Sequence, residues 1–442
     1  MTTPEDSLPA SAVPAAASDA EWSGRSRAIA AASVGNMLEW YDFTVYALFA
    51  PYIAKSFFPG GEPAADLLKA FLAFGLGFVV RPLGAILIGN YGDRAGRKAA
   101  LTLTIGLMAA GTAAIALAPG YGAIGLGAAL LLVVGRVLQG FSAGGEIGGA
   151  AAFLLENAPP GRRGITTSWL EASMGLSNIL GASAALLVTA LLSIQQVQDW
   201  GWRVPFLFGL LILPAGWYLR RTLHETDAFR AETDLRHRGE HTSRSPLIEI
   251  LAHHKLPLIV GFGMSVLWAV GVYVLIVFVP VYVQNTFHFS ATQGFGASLA
   301  GNVFFVASCV IFGAVSDRIG RRATLLISAV LMFASVVPLF MWLRAFPSTA
   351  TLICVQSAFC ILVASYVGVA PAGLSGLFPT GVRSTGTSIV YNTAFTIFGG
   401  FAPAILTWLT QRPGGSVLAP AWYVMMAAAV AVIAIPFVSE RR

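Results

Sequence analysis

The stretch GNYGDRAGRKAALT, residues 89 to 102, returns as GAVSDRIGRRATLL at 313 to 326. Each copy keeps an Asp-Arg pair, a glycine two positions on, and then two basic residues. A second pair of loops repeats in the same order, PPGRRG at 159 to 164 and PTGVRSTG at 379 to 386. A chain that repeats two loops in register is built of two like halves, and these loops mark equivalent points in each.

Between the loops the chain is apolar. Of its 442 residues 56% are hydrophobic and 11% charged, with a mean hydropathy of +0.73, outside the range of water-soluble domains. A bilayer crossing takes roughly 20 mainly apolar residues, and twelve such runs begin near 28, 66, 99, 122, 165, 202, 256, 291, 323, 349, 385 and 419. The expected fold is an all-α integral membrane protein, twelve transmembrane helices in two pseudo-symmetric six-helix bundles. Parallel repeats of this kind set a pseudo-two-fold axis along the membrane normal and a substrate site between the halves near the midplane.

The expected organisation is a disordered cytoplasmic tail at 1–24, a first bundle at 25–221, a cytoplasmic linker at 222–255, a second bundle at 256–438 and a cytoplasmic C-terminus at 439–442. The tail carries Glu5, Asp6, Asp19 and Glu21, where a signal peptide would be basic and then apolar. The linker holds five of the six histidines among charges of both signs, in no metal-ligand spacing. Cys309, Cys354 and Cys360 fall inside apolar runs and suggest neither disulfides nor a metal site.

The net charge of +6 is divided among loops, which argues against a nucleic-acid surface. Arg94, Arg97 and Lys98 follow the second run, Arg162 and Arg163 the fourth, Arg220 and Arg221 the sixth, Arg318, Arg321 and Arg322 the eighth, and Arg383 the tenth. By the positive-inside rule both termini are cytoplasmic, as in a multi-pass protein of a bacterial-type cytoplasmic membrane. The lipid bilayer is its surroundings.

Charges inside the runs are few. Glu39 and Asp42, in GNMLEWYDFTVYALFA (35 to 50), share one helix face at i and i+3, a stripe that Asn36 and Tyr46 extend; Trp40 and Phe43 then face elsewhere. A carboxylate at mid-membrane costs roughly 2.5–3.5 kcal/mol on insertion scales, so such groups line a wet cavity or pair with cations. The neutral acid is cheaper, which makes Glu39 or Asp42 a titratable proton carrier; a static ion pair to Arg81 or Arg136 is the other reading. Arg81 and Arg136 keep their charge, and a guanidinium matches a carboxylate bidentately. A substrate carboxylate can therefore compete with the protein's own acids for them. Glu146, among the small residues of SAGGEIGG, and Glu171, in TSWLEASMG, are further membrane acids, either coupling or structural. The second half offers mainly neutral groups: Tyr273, Asn302, Tyr366, Tyr391 and Asn392. Trp200, Trp202 and Arg203 suit an interface belt. No G-x-x-x-x-G-K-[ST] loop occurs, which disfavours ATP as the energy source, and no activated nucleophile, metal cluster or cofactor motif suggests an enzyme.

The duplicated G-x-x-x-D-R-x-G-R-[RK] loop resembles that of the major facilitator superfamily. A narrower resemblance runs through GNMLEWYDF, RPLGA (81 to 85), RVLQGFSAGGEIGG (136 to 149), WGWRVPF (200 to 206) and LRRTLHETDAF (219 to 229), to the metabolite:proton symporter family of ketoglutarate, citrate, shikimate and proline/betaine permeases. It implies alternating access without a cofactor, the proton as coupling ion, and a monomer carrying a small metabolite. It also implies a cytoplasmic latch of Asp93, Arg94, Arg97, Asp317, Arg318 and Arg321, with Glu156 and Glu225 as partners, and a span-four pattern of Arg136, Gln139 and Glu146. The reading taken forward is proton-coupled symport of a di- or tricarboxylate, with Glu39, Asp42 and Glu146 coupling protons and Asn36, Tyr46, Arg81, Arg136, Gln139, Glu171, Tyr273 and Asn392 around the substrate. The alternatives are a zwitterionic osmolyte such as proline or betaine, whose quaternary ammonium Trp169 or Tyr46 would face, and an efflux antiporter for apolar compounds.

Overall fold

A computed structural model of the protein describes residues 19–95, 97–144, 146–156, 158–211, 246–379 and 382–438. The side chains of Asp93, Arg94, Arg97 and Glu146 lie outside the described residues, as do the 1–18 tail, Arg220, Arg221 and Glu225, most of the linker, and the last four residues.

The twelve apolar runs are helices: α1 Asp19–Leu48, α2 Pro63–Ile88, α3 Arg97–Leu117, α4 Leu126–Glu156, α5 Arg163–Leu191, α6 Gly201–Leu211, α7 Lys255–Thr286, α8 Ala291–Ile319, α9 Arg321–Ala345, α10 Thr349–Ser375, α11 Arg383–Gln411 and α12 Ala419–Phe437. Nine of these, among the described residues, are long and apolar enough to cross a membrane. Short helices lie between them at Ala50–Phe57, Ile194–Asp199 and Pro246–His253. The last falls within the stretch expected as linker.

Local chemistry explains the boundaries. Ser290 starts α8 with a reciprocal cap, its hydroxyl accepting from the Gln293 N–H while the Gln293 side chain accepts from the Ser290 N–H. Gly320, the glycine of the second repeated loop, ends α8 and begins α9 with φ at 96°, a conformation that a side chain resists. The long run from 122 breaks at Gly125, with φ at 57°, before α4 begins.

Across the division between halves, α5 runs along α8, α2 against α11 and α4 against α11, while α1 meets α7. The α5/α8 seam is close because it is lined with small residues: a Cβ on Gly313 would stand 2.6 Å from Ser168 Oγ, and one on Gly175 would stand 2.6 Å from the Phe305 ring. The halves touch at both ends. At the end bearing the repeated basic loops Arg383 pairs with Glu156 at 2.7 Å; at the other, Phe49 meets Phe295 with ring centroids 6.0 Å apart and Phe71 meets Phe278 at 5.9 Å. Between them lies a cavity of about 10 Å³ lined by Thr44, Asn178, Ser298 and Asn302, room for a single water. This is an occluded arrangement.

Candidate functional site

Two glycine contacts bring the buried cations together. A Cβ on Gly77 of α2 would stand 2.9 Å from the Arg136 carbonyl of α4, and the Gly140 and Gly144 positions press against the backbones of Gly77 and Arg81. With no side chains to separate them, α2 and α4 run backbone to backbone. Arg81 and Arg136 are consequently neighbours, 2% and 0% exposed.

An aromatic bed receives both charges. The Arg81 guanidinium lies 4.7 Å from the centroid of Phe43 and 4.1 Å from that of Phe78. That of Arg136 lies 4.6 Å from Phe43, 4.5 Å from Tyr46 and 4.8 Å from Phe74. Ring faces attract such cations, more so where water is excluded, yet they supply no acceptor for the N–H groups. Nε and Nη2 of each arginine are buried without a hydrogen-bond partner. Two like charges held against one ring, with four nitrogens open, make a site short of hydrogen-bond acceptors.

Phe43 faces elsewhere than Asp42, and what it faces is the pair of arginines. The reason is crossing geometry: α1 presents Phe43 to the α2/α4 seam while Asp42 points toward α3. There Asp42 is 2% exposed, and its Oδ2 accepts from the Thr112 hydroxyl and, at 3.4 Å, from the Gln139 amide. Gln139 also donates to Thr112 at 2.9 Å, while its Oε1 accepts from Arg136 Nη1 at 2.7 Å. Acid and cation are thus joined through one amide rather than in direct contact. Glu39 is half-buried and engaged in contacts of its own.

Other sequence-nominated residues fall into two groups. Asn36 donates to Leu170 O and Ser173 Oγ, each at 2.9 Å, and the Tyr46 hydroxyl donates to Ala70 O at 2.9 Å; both tie α1 to its neighbours, though the Tyr46 ring still faces Arg136. Asn302 accepts from Asn178 at 3.1 Å across the halves, and Tyr366 donates to Met264 O at 3.0 Å. Asn392 donates to Gly144 O at 3.0 Å, joining α11 to α4, with its Oδ1 unpaired. Tyr273 belongs to the central site: fully buried, it packs edge-on to Phe78 with centroids 5.2 Å apart, and its hydroxyl turns toward Arg81 without completing a hydrogen bond. Glu171 is 2% exposed and faces Trp268 of the other half. Trp169 is 42% exposed on the outer wall, so the expectation that it faces a ligand is not met; a position that places Glu171 inward turns Trp169 outward.

At the basic end Asp317, from the second repeated loop, receives the first N–H groups of α5, from Gly164 at 2.6 Å and Ile165 at 3.0 Å. That is a helix cap supplied by the opposite half, with the carboxylate on the positive end of the helix dipole. Arg383 adds Ser375 O at 3.1 Å to its Glu156 pair; Arg321 donates to Ala372 O at 3.2 Å, and Arg318 is exposed.

Thr112, Phe74 and Phe78 were absent from the sequence reading. The phenylalanines had a signal: positions 74, 78 and 81 follow helical spacing and put both rings on the Arg81 face. Thr112 had none beyond being a hydroxyl in an apolar run.

These features fit what the chain resembles as a whole. Residues 32–403 match the Major Facilitator Superfamily. The chain is 36% identical over 417 residues to the citrate-proton symporter of Klebsiella pneumoniae, covering 94% of this chain and 92% of that one. It is 33% identical over 419 residues to the glycine betaine/proline/ectoine/pipecolic acid transporter OusA of Dickeya dadantii, covering 94% and 83%. In fold it resembles the proton:xylose symporter XylE bound to 6-bromo-6-deoxy-D-glucose, with a TM-score of 0.76 at 16% identity over 94% of this chain and 95% of that one. Twelve helices in two halves, the duplicated loop and these matches over nearly the whole length make this chain a multi-pass membrane transporter that belongs to the major facilitator superfamily.

Proposed function

We propose that the protein is a proton-coupled symporter of a small organic acid, a di- or tricarboxylate of the citrate kind, working by alternating access. The observation that carries the reading is the open set of donors at the centre: Nε and Nη2 of Arg81 and of Arg136, and the Tyr273 hydroxyl, all buried and unpaired. A carboxylate is the ligand whose geometry and charge complete them. Tyr273 comes from the second half and the arginines from the first, so a bound acid bridges the two. The 36% and 37% identity to two citrate-proton symporters supports the substrate class.

The Asp42–Gln139–Arg136 chain couples proton to substrate. With Asp42 ionised, Gln139 holds its amide toward that carboxylate and its carbonyl toward Arg136. Protonation of Asp42 removes the charge that orients Gln139, which frees Arg136 for the substrate; Glu39 shares α1 with Asp42, and Glu146 shares α4 with Arg136 and Gln139. Carrying one negative charge inward against a potential of 100 mV costs about 2.3 kcal/mol, so an anion needs protons for company. The Asp317 cap and the Glu156–Arg383 pair close the basic end, together with Asp93, Arg94, Arg97, Arg318 and Arg321, and open to release the load. That end faces the cytoplasm, as do both termini, in a bacterial-type inner membrane, and one chain suffices for the cycle.

A second reading, symport of a zwitterionic osmolyte, draws on the match to OusA and on the unpaired Glu171 oxygen beside Trp268, a setting that suits an ammonium group. An efflux antiporter for apolar compounds has no use for two open guanidiniums. The deciding experiment is uptake of labelled citrate and labelled betaine into proteoliposomes under an inward proton gradient. Citrate accumulation abolished by a protonophore supports the proposal; betaine accumulation without citrate uptake overturns it.

A further inference from the structure

The membrane carboxyls Asp42 and Glu171 are both buried but differ in their partners. Asp42 Oδ2 accepts from a hydroxyl and an amide, and that amide is in turn bound to Arg136. Such a setting, donors and a nearby cation, offsets part of what burial costs the charged carboxylate. Glu171 has only the Trp268 side chain turned toward it. It is 2% exposed, its Oε2 has no hydrogen-bond partner, and no ion pair reaches it among the described residues. For a carboxyl buried with one oxygen unmet and no cation beside it, the neutral acid is the cheaper form.

Each element packed on this part of α5 adds to the contrast. From α7 comes Trp268, whose side chain faces the carboxyl. From α8 comes Cys309, fully buried and close enough to feel the Glu171 charge; from α11 comes Tyr391, stacked on Phe395 at 3.7 Å and likewise sensitive to it. From α10 comes Tyr366, its hydroxyl engaged by Met264 O. On α1, Asn36 is held by Leu170 O and Ser173 Oγ, on either side of Glu171 in sequence; Asp42 is held by Thr112 and Gln139, and Glu39 is engaged. No arginine or lysine faces the group from these elements. Its neighbours Trp268, Cys309 and Tyr391 all belong to the opposite half.

We propose that Glu171 is a second proton-carrying carboxyl, loaded in the occluded state, and that its proton meets water only when the two halves separate. This rests on the reading of the chain as a proton symporter and adds to it a group whose solvent access is set by the inter-half seam. Two acids, one on the substrate relay and one at the seam, would let a cycle move more than one proton, as a multiply charged acid requires.

Infrared difference spectroscopy of the purified protein in lipid reads the carboxyl stretch of a protonated acid, which shifts when its proton exchanges for deuterium. The expected result is a protonated-acid band at neutral pH that Glu171→Gln removes, Asp42→Asn leaves in place, and Trp268→Phe moves in frequency. The Trp268 variant keeps the assignment testable where the Glu171 variant folds poorly. Cross-linking Asn178→Cys to Asn302→Cys, whose side chains meet at 3.1 Å in the native chain, should slow deuteration of that band at least tenfold, and reduction should restore it. A band indifferent to both the Glu171 and the Trp268 variant, or one that exchanges equally fast in locked and reduced protein, overturns the proposal. Neither readout needs a substrate, so failure of citrate to bind would count against the substrate assignment and leave this test standing.

Discussion

Asp42 and Arg136 face each other across a single amide: Gln139 donates to the acid at 3.4 Å and accepts from the arginine at 2.7 Å. The amide can serve both only while the acid is an acceptor and the cation lacks a better partner. A change at either end is therefore felt at the other.

Asp42→Asn removes the proton from this link and keeps its shape. Uphill accumulation should be lost while exchange of labelled for unlabelled substrate continues, because exchange needs binding and rocking but no net proton movement. Counterflow in proteoliposomes separates the two, and unimpaired uphill uptake would remove Asp42 from the coupling path.

Gln139→Leu leaves the Arg136 donor and the Thr112 and Asp42 acceptors short of a partner in a buried place. Stranding a buried polar group costs about 1–3 kcal/mol, so thermal stability should fall clearly in the substrate-free protein. A saturating carboxylate should recover part of that loss by taking up Arg136, visible as a larger ligand-induced rise in Tm than in the wild type.

Gly140→Ala tests how the arginines are placed. The added carbon would push against the Gly77 backbone, where neither helix can yield a side chain, and overpacking of this kind costs typically about 1–3 kcal/mol. Since the strain separates α2 from α4, affinity should fall together with Tm. Gly106→Ala, where a Cβ would meet nothing within 4 Å, serves as the silent control.

Asp317→Ala and Asp317→Asn distinguish a cap from a charge. Alanine leaves two N–H groups at the start of α5 unmet and should cost about 0.5–2 kcal/mol, favouring states open at the basic end. Asparagine keeps an acceptor oxygen and caps helices about as well, so its effect on thiol labelling of that end should be much smaller. Arg383→Ala should shift Tm little, because an exposed pair is worth only about 0–1 kcal/mol.

The helices were legible because a bilayer demands apolar length: run starts expected near 291, 349 and 419 coincide with Ala291, Thr349 and Ala419. Buried charge was legible too, since Asp42, Arg81, Arg136 and Glu171 are exceptions in an apolar chain. What stayed hidden depends on how helices cross. Position in the chain alone could not say that Phe43 would serve both arginines, that Thr112 would reach Asp42 from α3, or that Asn36 would tie α1 to α5 rather than face the centre. Trp169 shows the limit of local pattern: next to an inward acid, it lies on the outward face of the same helix.

The central claim is that Arg81 and Arg136 bind the carboxylate of a substrate, and ligand-induced thermal stabilisation tests it most directly. Purified protein is melted with citrate, α-ketoglutarate, succinate, shikimate, proline and betaine, beside Arg81→Ala and Arg136→Ala. A ligand that binds the folded state at a hundred times its Kd adds about 2.7 kcal/mol of stability. The account predicts a rise in Tm with a di- or tricarboxylate that disappears in both variants. A rise with betaine or proline alone, or a citrate shift that survives loss of both arginines, would contradict it.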